Sequence, residues 1–199
     1  MDLSHQEAHA LSVIGRGARV LAILVALAAA SAGEARAQTS REYDIKAAFL
    51  YNFVKFVDWP ADALSESSSV INICVLGENP FGPAIEAIKD NVVTGKKLAI
   101  RYLSELQGAP SCNVLFVSSS EAKRLTQIVA ALGSSSTLTV GDMERFAELG
   151  GMINFINDQN KVHFEINVDA AERARLKIGS RLLNLARVIR SQPRVSPSR

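Results

Sequence analysis

The stretch Arg41 to Pro60, REYDIKAAFLYNFVKFVDWP, constrains the chain more than any other. Its apolar residues do not alternate, so it does not read as a strand. At 3.6 residues per turn, Tyr43, Ala47, Leu50, Val54 and Val57 form one stripe, and Phe49, Phe53 and Phe56 form a second beside it. Lys46, Asn52, Lys55 and Asp58 keep a polar side, and Pro60 is expected to stop the helix. A helix apolar around most of its girth must be covered on more than one face. It is too short and too charged to span a bilayer. Two readings stand side by side: a central core helix, and a helix whose aromatic surface near Phe53, Phe56 and Trp59 also receives a partner or ligand.

The N-terminus bears on the compartment. Arg16 and Arg19 precede the apolar run VLAILVALAAA, and Ala35-Arg36-Ala37 follows as an A-x-A cleavage pattern. A positive region, a short apolar run and a small-residue site describe a secretory signal peptide over residues 1–37. The alternative is an uncleaved anchor, against which the run is about half the length a membrane span requires. Cleavage near Ala37 implies an exported, periplasmic product. With a formal net charge of +2 and scattered basic residues, the chain lacks a nucleic-acid footprint. Cys74 and Cys112, an even pair in an oxidising compartment, are read as a disulfide; the alternative is two buried thiols. They are not a C-x-x-C pair, so a thioredoxin-like enzyme has no support.

Along the chain, Val70 to Leu76 reads as a buried strand ended by Gly77, and Phe81 to Asp90 as a helix with Phe81, Ile85 and Ile88 on one side. Lys97 to Leu103 is a strand with Leu98, Ile100 and Tyr102 on one face. Asn113 to Val117 is a short strand. A helix over Glu121 to Leu132 carries the stripe Ala122, Leu125, Ile128 or Val129, and Leu132, capped from Ser118 to Ser120 and ended by Gly133. Thr137 to Val140 is a strand, and Asp142 is expected to cap a short helix through Leu149. After Gly150-Gly151, Met152 to Ile156 and Lys161 to Val168 form a hairpin around the polar tip 157–160. Asp169 and Glu172 suggest a capping box. The segment behind them splits into two helical pieces near Lys177 to Gly179, the second capped by Ser180, with Ala171, Ala174, Ile178, Leu182, Leu185 and Ile189 on one stripe. Arg187 and Arg190 suit its C-terminal end, and 191–199 reads as a flexible tail. Strands alternating with helices predict a single α/β domain over 38–190. It has a mixed sheet covered by helices, with the N-terminal apolar helix and the C-terminal hairpin and helix on the faces.

The catalytic inventory is small. His163 is the one histidine beyond the leader, so neither a His-based zinc site nor a G-x-S-x-G triad is supported. No phosphate loop or dinucleotide fingerprint is present, and no metal or cofactor is expected. His163 and Glu165 share a strand face about 7 Å apart. They read first as a solvent-facing polar row, then as ligand contacts, and last as the acid–base pair of a hydrolase. Asn52, Asn154 and Asn167 sit in apolar surroundings and are expected to stitch helix to hairpin.

Three segments, REYDIKAAFLYNFVKFVDWP, GGMINFINDQNKVHFEINVDAA and LLNLARVI, together with most of Glu42 to Ile189, resemble the YfiR family. The resemblance implies a homodimeric periplasmic regulator, not an enzyme. Such a regulator binds the periplasmic domain of an inner-membrane diguanylate cyclase and represses it, lowering cyclic di-GMP and biofilm formation. It also implies an association with small nucleotide-like or tryptophan-like aromatic ligands. Cys74 and Cys112 match a family pair that can be disulfide-bonded; the second pair some members carry near Gly150-Gly151 has no counterpart here. Glu165, in the family's F-E-[IV]-N segment, and Phe155, in its hydrophobic patch, match regions where control of the partner is sensitive. A second reading from the residues is a periplasmic small-molecule module reporting to another membrane sensor or kinase.

Overall fold

The structure, a computed structural model, describes residues 38–64, 68–133, 135–159 and 161–190. The expected signal peptide 1–37 and the tail 191–199 lie outside these. Met1–Arg41 forms one unit, of which only the helical residues 38–41 are described, and Glu42–Arg199 forms a second. No described helix is long and apolar enough to cross a membrane.

The apolar stretch is a helix, α1, over 38–56. Ala47, Leu50, Phe53 and Val54 are all buried, Leu50 and Phe53 completely. The helix ends before Pro60 is reached. Val57–Asp58 (β1) turns extended and pairs antiparallel with Lys177–Ile178 (β9), while the Phe56 carbonyl accepts from Gly179 N at 2.8 Å. Backbone pairing to a distant strand, rather than proline, therefore sets the end. Lys46, expected on the polar side, is also buried, because two carboxylates meet it.

The remaining strands are β2 (Val70–Leu76), β3 (Val92–Val93), β4 (Lys96–Leu103), β5 (Val114–Val117), β6 (Leu138–Gly141), β7 (Ile153–Asp158), β8 (Lys161–Asn167) and β10 (Arg187–Ile189). They form one mixed sheet in the order β10-β8-β7-β6-β5-β2-β4-β3. The run from β4 through β7 is parallel, and β7–β8 is the antiparallel hairpin expected from the sequence. Every residue of β5 is inaccessible, as a central parallel strand covered on both faces requires. Alternate residues feed two cores. Val114 and Phe116 face the core that contains α1, and Leu115 and Val117 face a second core with Leu125, Ile128, Leu132 and Phe146. The architecture is the expected mixed α/β fold.

The covering elements differ from expectation. Phe81 to Asp90 is two 3-10 turns, Gly82–Ala84 and Glu86–Ile88, although Phe81, Ile85 and Ile88 are buried as the spacing implied. The next helix is 3-10 over Ser119–Arg124 and α only over Leu125–Leu132 (α2). The Ser118 hydroxyl caps it by accepting from Ser120 N, and Ala122 is exposed. Residues 142–149 form turns, not a helix. The Asp142 carboxylate accepts from Tyr43 and Lys46 instead of capping. The Phe146 ring folds against Gly141 and Gly151, where a Cβ would clash with it, so close approach requires glycine at both.

Val168–Arg173 (α3) is capped by Asn167, whose Oδ1 accepts from Ala170 N, not by the expected Asp169–Glu172 box. The break near Lys177 to Gly179 is present, but Ser180–Leu183 (α4) is one turn behind Gly179, without a side-chain cap. Arg187–Ile189 is then a strand parallel to β8, not a helix end. Leu185, placed on the buried stripe, is 69% exposed. Ala171, Ala174 and Leu182 join the α1 core, so the C-terminal elements do not cover the opposite face; α2 and the Phe146 turn do.

Cys74 in β2 is bonded to Cys112, which follows the 3-10 turn Leu106–Ser111, with Cα atoms 5.9 Å apart. Closing a loop of 38 residues constrains the unfolded chain by about 4 kcal/mol on the entropy model. Reduction or Cys74→Ser is expected to lower the unfolding free energy by roughly 2–4 kcal/mol in urea titrations. Phe53→Ala, at a site with no exposure, is expected to cost about 3–5 kcal/mol in the same assay.

Candidate functional site

The functional candidates fall into three places. The first is the joint between α1 and the hairpin. Phe53 stacks on Phe155 at 5.6 Å between centroids and meets Phe164 edge-on at 5.3 Å; Phe49 packs against the same two rings. Phe155 is 4% exposed and Phe53 is fully buried, so both shape a surface from behind it. Phe56 and Trp59 are half-buried at the far end of α1, beside β1 and β9. The Trp59 Nε1 is buried with no hydrogen-bond partner among the described residues. The helical spacing puts Phe53, Phe56 and Trp59 near one aromatic surface. In the structure Phe53 is fully buried whereas Phe56 and Trp59 keep partial exposure, all three belonging to or packing against one core.

The second place is the opposite face of the hairpin. His163 is exposed, but Glu165 is not the solvent-facing residue expected of the alternation; it is 4% exposed. Its Oε1 accepts from Asn154 Nδ2 at 3.1 Å, and its Oε2 accepts from Arg187 Nε at 3.2 Å and from Arg187 Nη2. The parallel docking of β10, which aligns Arg187 with Glu165, buries the carboxylate. The sequence pattern puts Arg187 at a helix end and does not reveal this partner. The β-branched Val188-Ile189 following it is the signal that favours a strand. Contact with Glu165 raises the Arg187 guanidinium above its ordinary value, first through the hydrogen bond and then through charge. Asn167 Nδ2 donates to the Ala147 carbonyl at 2.7 Å. Asn154 and Asn167 thus secure the hairpin and the 142–150 turns, not the joint of helix and hairpin. With both oxygens of Glu165 already holding donors, the row is built to be rigid. Among the described residues, the donors that reach the Glu165 carboxylate are Asn154 and Arg187.

The third place, absent from the sequence reading as a unit, is the buried ionic cluster at the start of α1. Lys46 Nζ lies 2.6 Å from Glu42 Oε1 and 2.9 Å from Asp142 Oδ2, and 4.3 Å from the Tyr43 ring centroid. Tyr43 donates to Asp142 Oδ2 at 2.7 Å; burial first, and then this bond, pushes its hydroxyl above the ordinary value. The cluster clips α1 to the loop after β6.

Two clefts open elsewhere. One of about 400 Å³ has Asp62, Asn72, Asn113 and Arg175 among its walls. Another of about 570 Å³ lies between α2 and α3, with Val129, Thr139, Met152 and Arg173 in its lining. Neither is lined by Phe53, Phe56 or Trp59. Among the described residues no group of three or more His, Cys, Asp or Glu side chains is arranged to hold a metal ion.

Compared with known families, the chain matches the sequence pattern of the YfiR/HmsC-like family over residues 43–187, from the first turns of α1 to the first residue of β10. The protein belongs to the YfiR/HmsC-like family. No curated protein matches it. Among solved structures it is similar to one described as the ABC domain in complex with L-Trp from Streptococcus pneumonia, at 14% identity and a TM-score of 0.42, over 65% of this chain and 58% of that one. The chain therefore spans less than two thirds of that structure, and so distant a likeness carries no argument about ligand or function.

Replacing Arg187 with Ala leaves a buried carboxylate short of a donor and is expected to destabilise by roughly 1–3 kcal/mol. Adding Glu165→Gln to that variant should recover part of the loss, because the uncompensated charge is then gone. A double-mutant cycle followed by urea unfolding measures both.

Proposed function

We propose that this protein is an exported, non-catalytic regulator that binds the periplasmic domain of an inner-membrane diguanylate cyclase and holds the enzyme inactive, lowering cyclic di-GMP and biofilm formation. The observation that carries this reading is membership of the YfiR/HmsC-like family across 43–187, which takes in α1, the sheet and the hairpin. The A-x-A leader supports export, and the disulfide between Cys74 and Cys112 suits an oxidising compartment.

The mechanism is a population shift. A protein that binds the inactive cyclase conformation more tightly than the active one biases the equilibrium by that difference in affinity and no more. Holding 99% of a cyclase inactive that would otherwise be 99% active requires a difference of about 10⁴-fold. The surface assigned to this contact is the rim of Phe56 and Trp59 on the solvent side of α1, with His163, on the other face of the hairpin, as a separate contact to the same partner. Phe53, Phe155 and Glu165 act from beneath by fixing the hairpin. A rigid presenting surface reduces the ordering cost of association.

Deleting the gene is expected to raise cellular cyclic di-GMP severalfold, and a copy carrying His163→Glu to restore repression only in part. Nucleotide extraction and quantitation read both. Unchanged cyclic di-GMP with the cyclase expressed would overturn the reading.

A further inference from the structure

The sheet has two ends, and they are closed differently. At one end, β10 is a three-residue strand whose Arg187 is tied to Glu165. At the other, β3 pairs with β4 only at Val92↔Lys97 and Val93↔Lys96, and the pairing continues no further than Leu98, bonded to Asp90 and Asn91. Along β4 the odd-numbered residues face β2: Lys97 N donates to the Ser69 carbonyl, and the Leu103 carbonyl accepts from Gly77 N. Leu98 faces outward, so Ile100 and Tyr102 do also. Among the described residues, nothing pairs with their two N–H and two C=O groups.

This edge also carries side chains suited to contact. Tyr102 is 50% exposed, and its ring is held in place because its hydroxyl donates to Glu86 Oε1 at 2.6 Å. Ile100 stands beside it on the same face. The other face presents the exposed Lys97 and Arg101, the latter steadied by donating from Nη1 to Ser111 Oγ at 2.6 Å. These charges decide the occupant. In the two-fold antiparallel register that uses both Ile100 and Tyr102, Arg101 of one copy would stand directly opposite Arg101 of the other. Like charges so placed destabilise the pair, so the edge is guarded against its own copy. A carboxylate opposite Arg101 turns the same position into an attraction. Its neighbours on an extended chain would point to the face of Ile100 and Tyr102.

We propose that β4 from Ile100 to Tyr102 is a strand-addition site for an extended segment of another protein carrying an acidic residue between two apolar ones. Backbone pairing supplies the affinity and the alternating side chains the choice of partner. This does not rest on the cyclase reading, which uses the α1 and hairpin surface.

The test uses the purified protein and two soluble eight-residue peptides, identical except for a central Val-Glu-Val or Val-Lys-Val. Fluorescence anisotropy should show saturable binding of the acidic peptide, about three- to tenfold tighter than the basic one. Arg101→Glu should reverse that order, with the fold checked by circular dichroism. Amide exchange should slow at Ile100 and Tyr102 on binding. Equal affinity for both peptides, no binding of either, or unchanged exchange at those two amides overturns the proposal. So does a concentration-dependent dimer that protects them without peptide.

Discussion

Phe53 packs against the rings of Phe155 and Phe164, and the placement of α1 depends on that contact. A helix that is apolar over most of its circumference has no stable position on an open surface. Here the hairpin rings take one side, and the alternate residues of β2, β5 and β6 take another. Aromatic rings at these separations add roughly 0.5–1.5 kcal/mol per pair beyond their burial. The hairpin therefore belongs to the same core as α1, although more than ninety residues separate them in the chain. That joint also aligns β7 and β8, which position Glu165 and His163.

Polar contacts then choose one arrangement among several that would bury similar area. Lys46 between Glu42 and Asp142 ties α1 to the loop after β6, and Arg187 on Glu165 ties β10 to the hairpin. Ion pairs removed from water are weak contributors to net stability, because desolvation offsets their attraction. Their role here is in register. A one-residue slip of β10 would leave the Glu165 carboxylate buried with Asn154 as its only donor. A displaced α1 would do the same to Lys46. Both pairs penalise misplacement more than they reward placement.

The two cores differ in what they hold. The second core, on the far face, contains the disulfide, α2 and the Phe146 turn, where Gly141 and Gly151 admit the ring. The α1 core carries the aromatic joint and the half-buried rim of Phe56 and Trp59. A surface backed by a cross-linked sheet loses little freedom when it is covered, which favours recognition by a rigid patch. The family pattern over 43–187 takes in both cores.

Much was legible in the chain itself. The period of the apolar residues in α1, the continuous runs of β2 and β5, the alternation of Phe164 and Ile166 and the positions of the glycines encode local structure through short-range sterics and patterning. They point to a mixed sheet with a buried first helix. Tertiary structure alone decided the rest. Arg187 and Ile189 are spaced equally well for a helix end or a strand, and β8 selects the strand by offering its edge. Asp142 reads as a cap until Lys46 and Tyr43, nearly a hundred residues away, claim its oxygens. Glu165 reads as exposed until β10 covers it. In each case the local preference is worth less than a distant partner supplies, and such partners carry no periodic mark in the sequence.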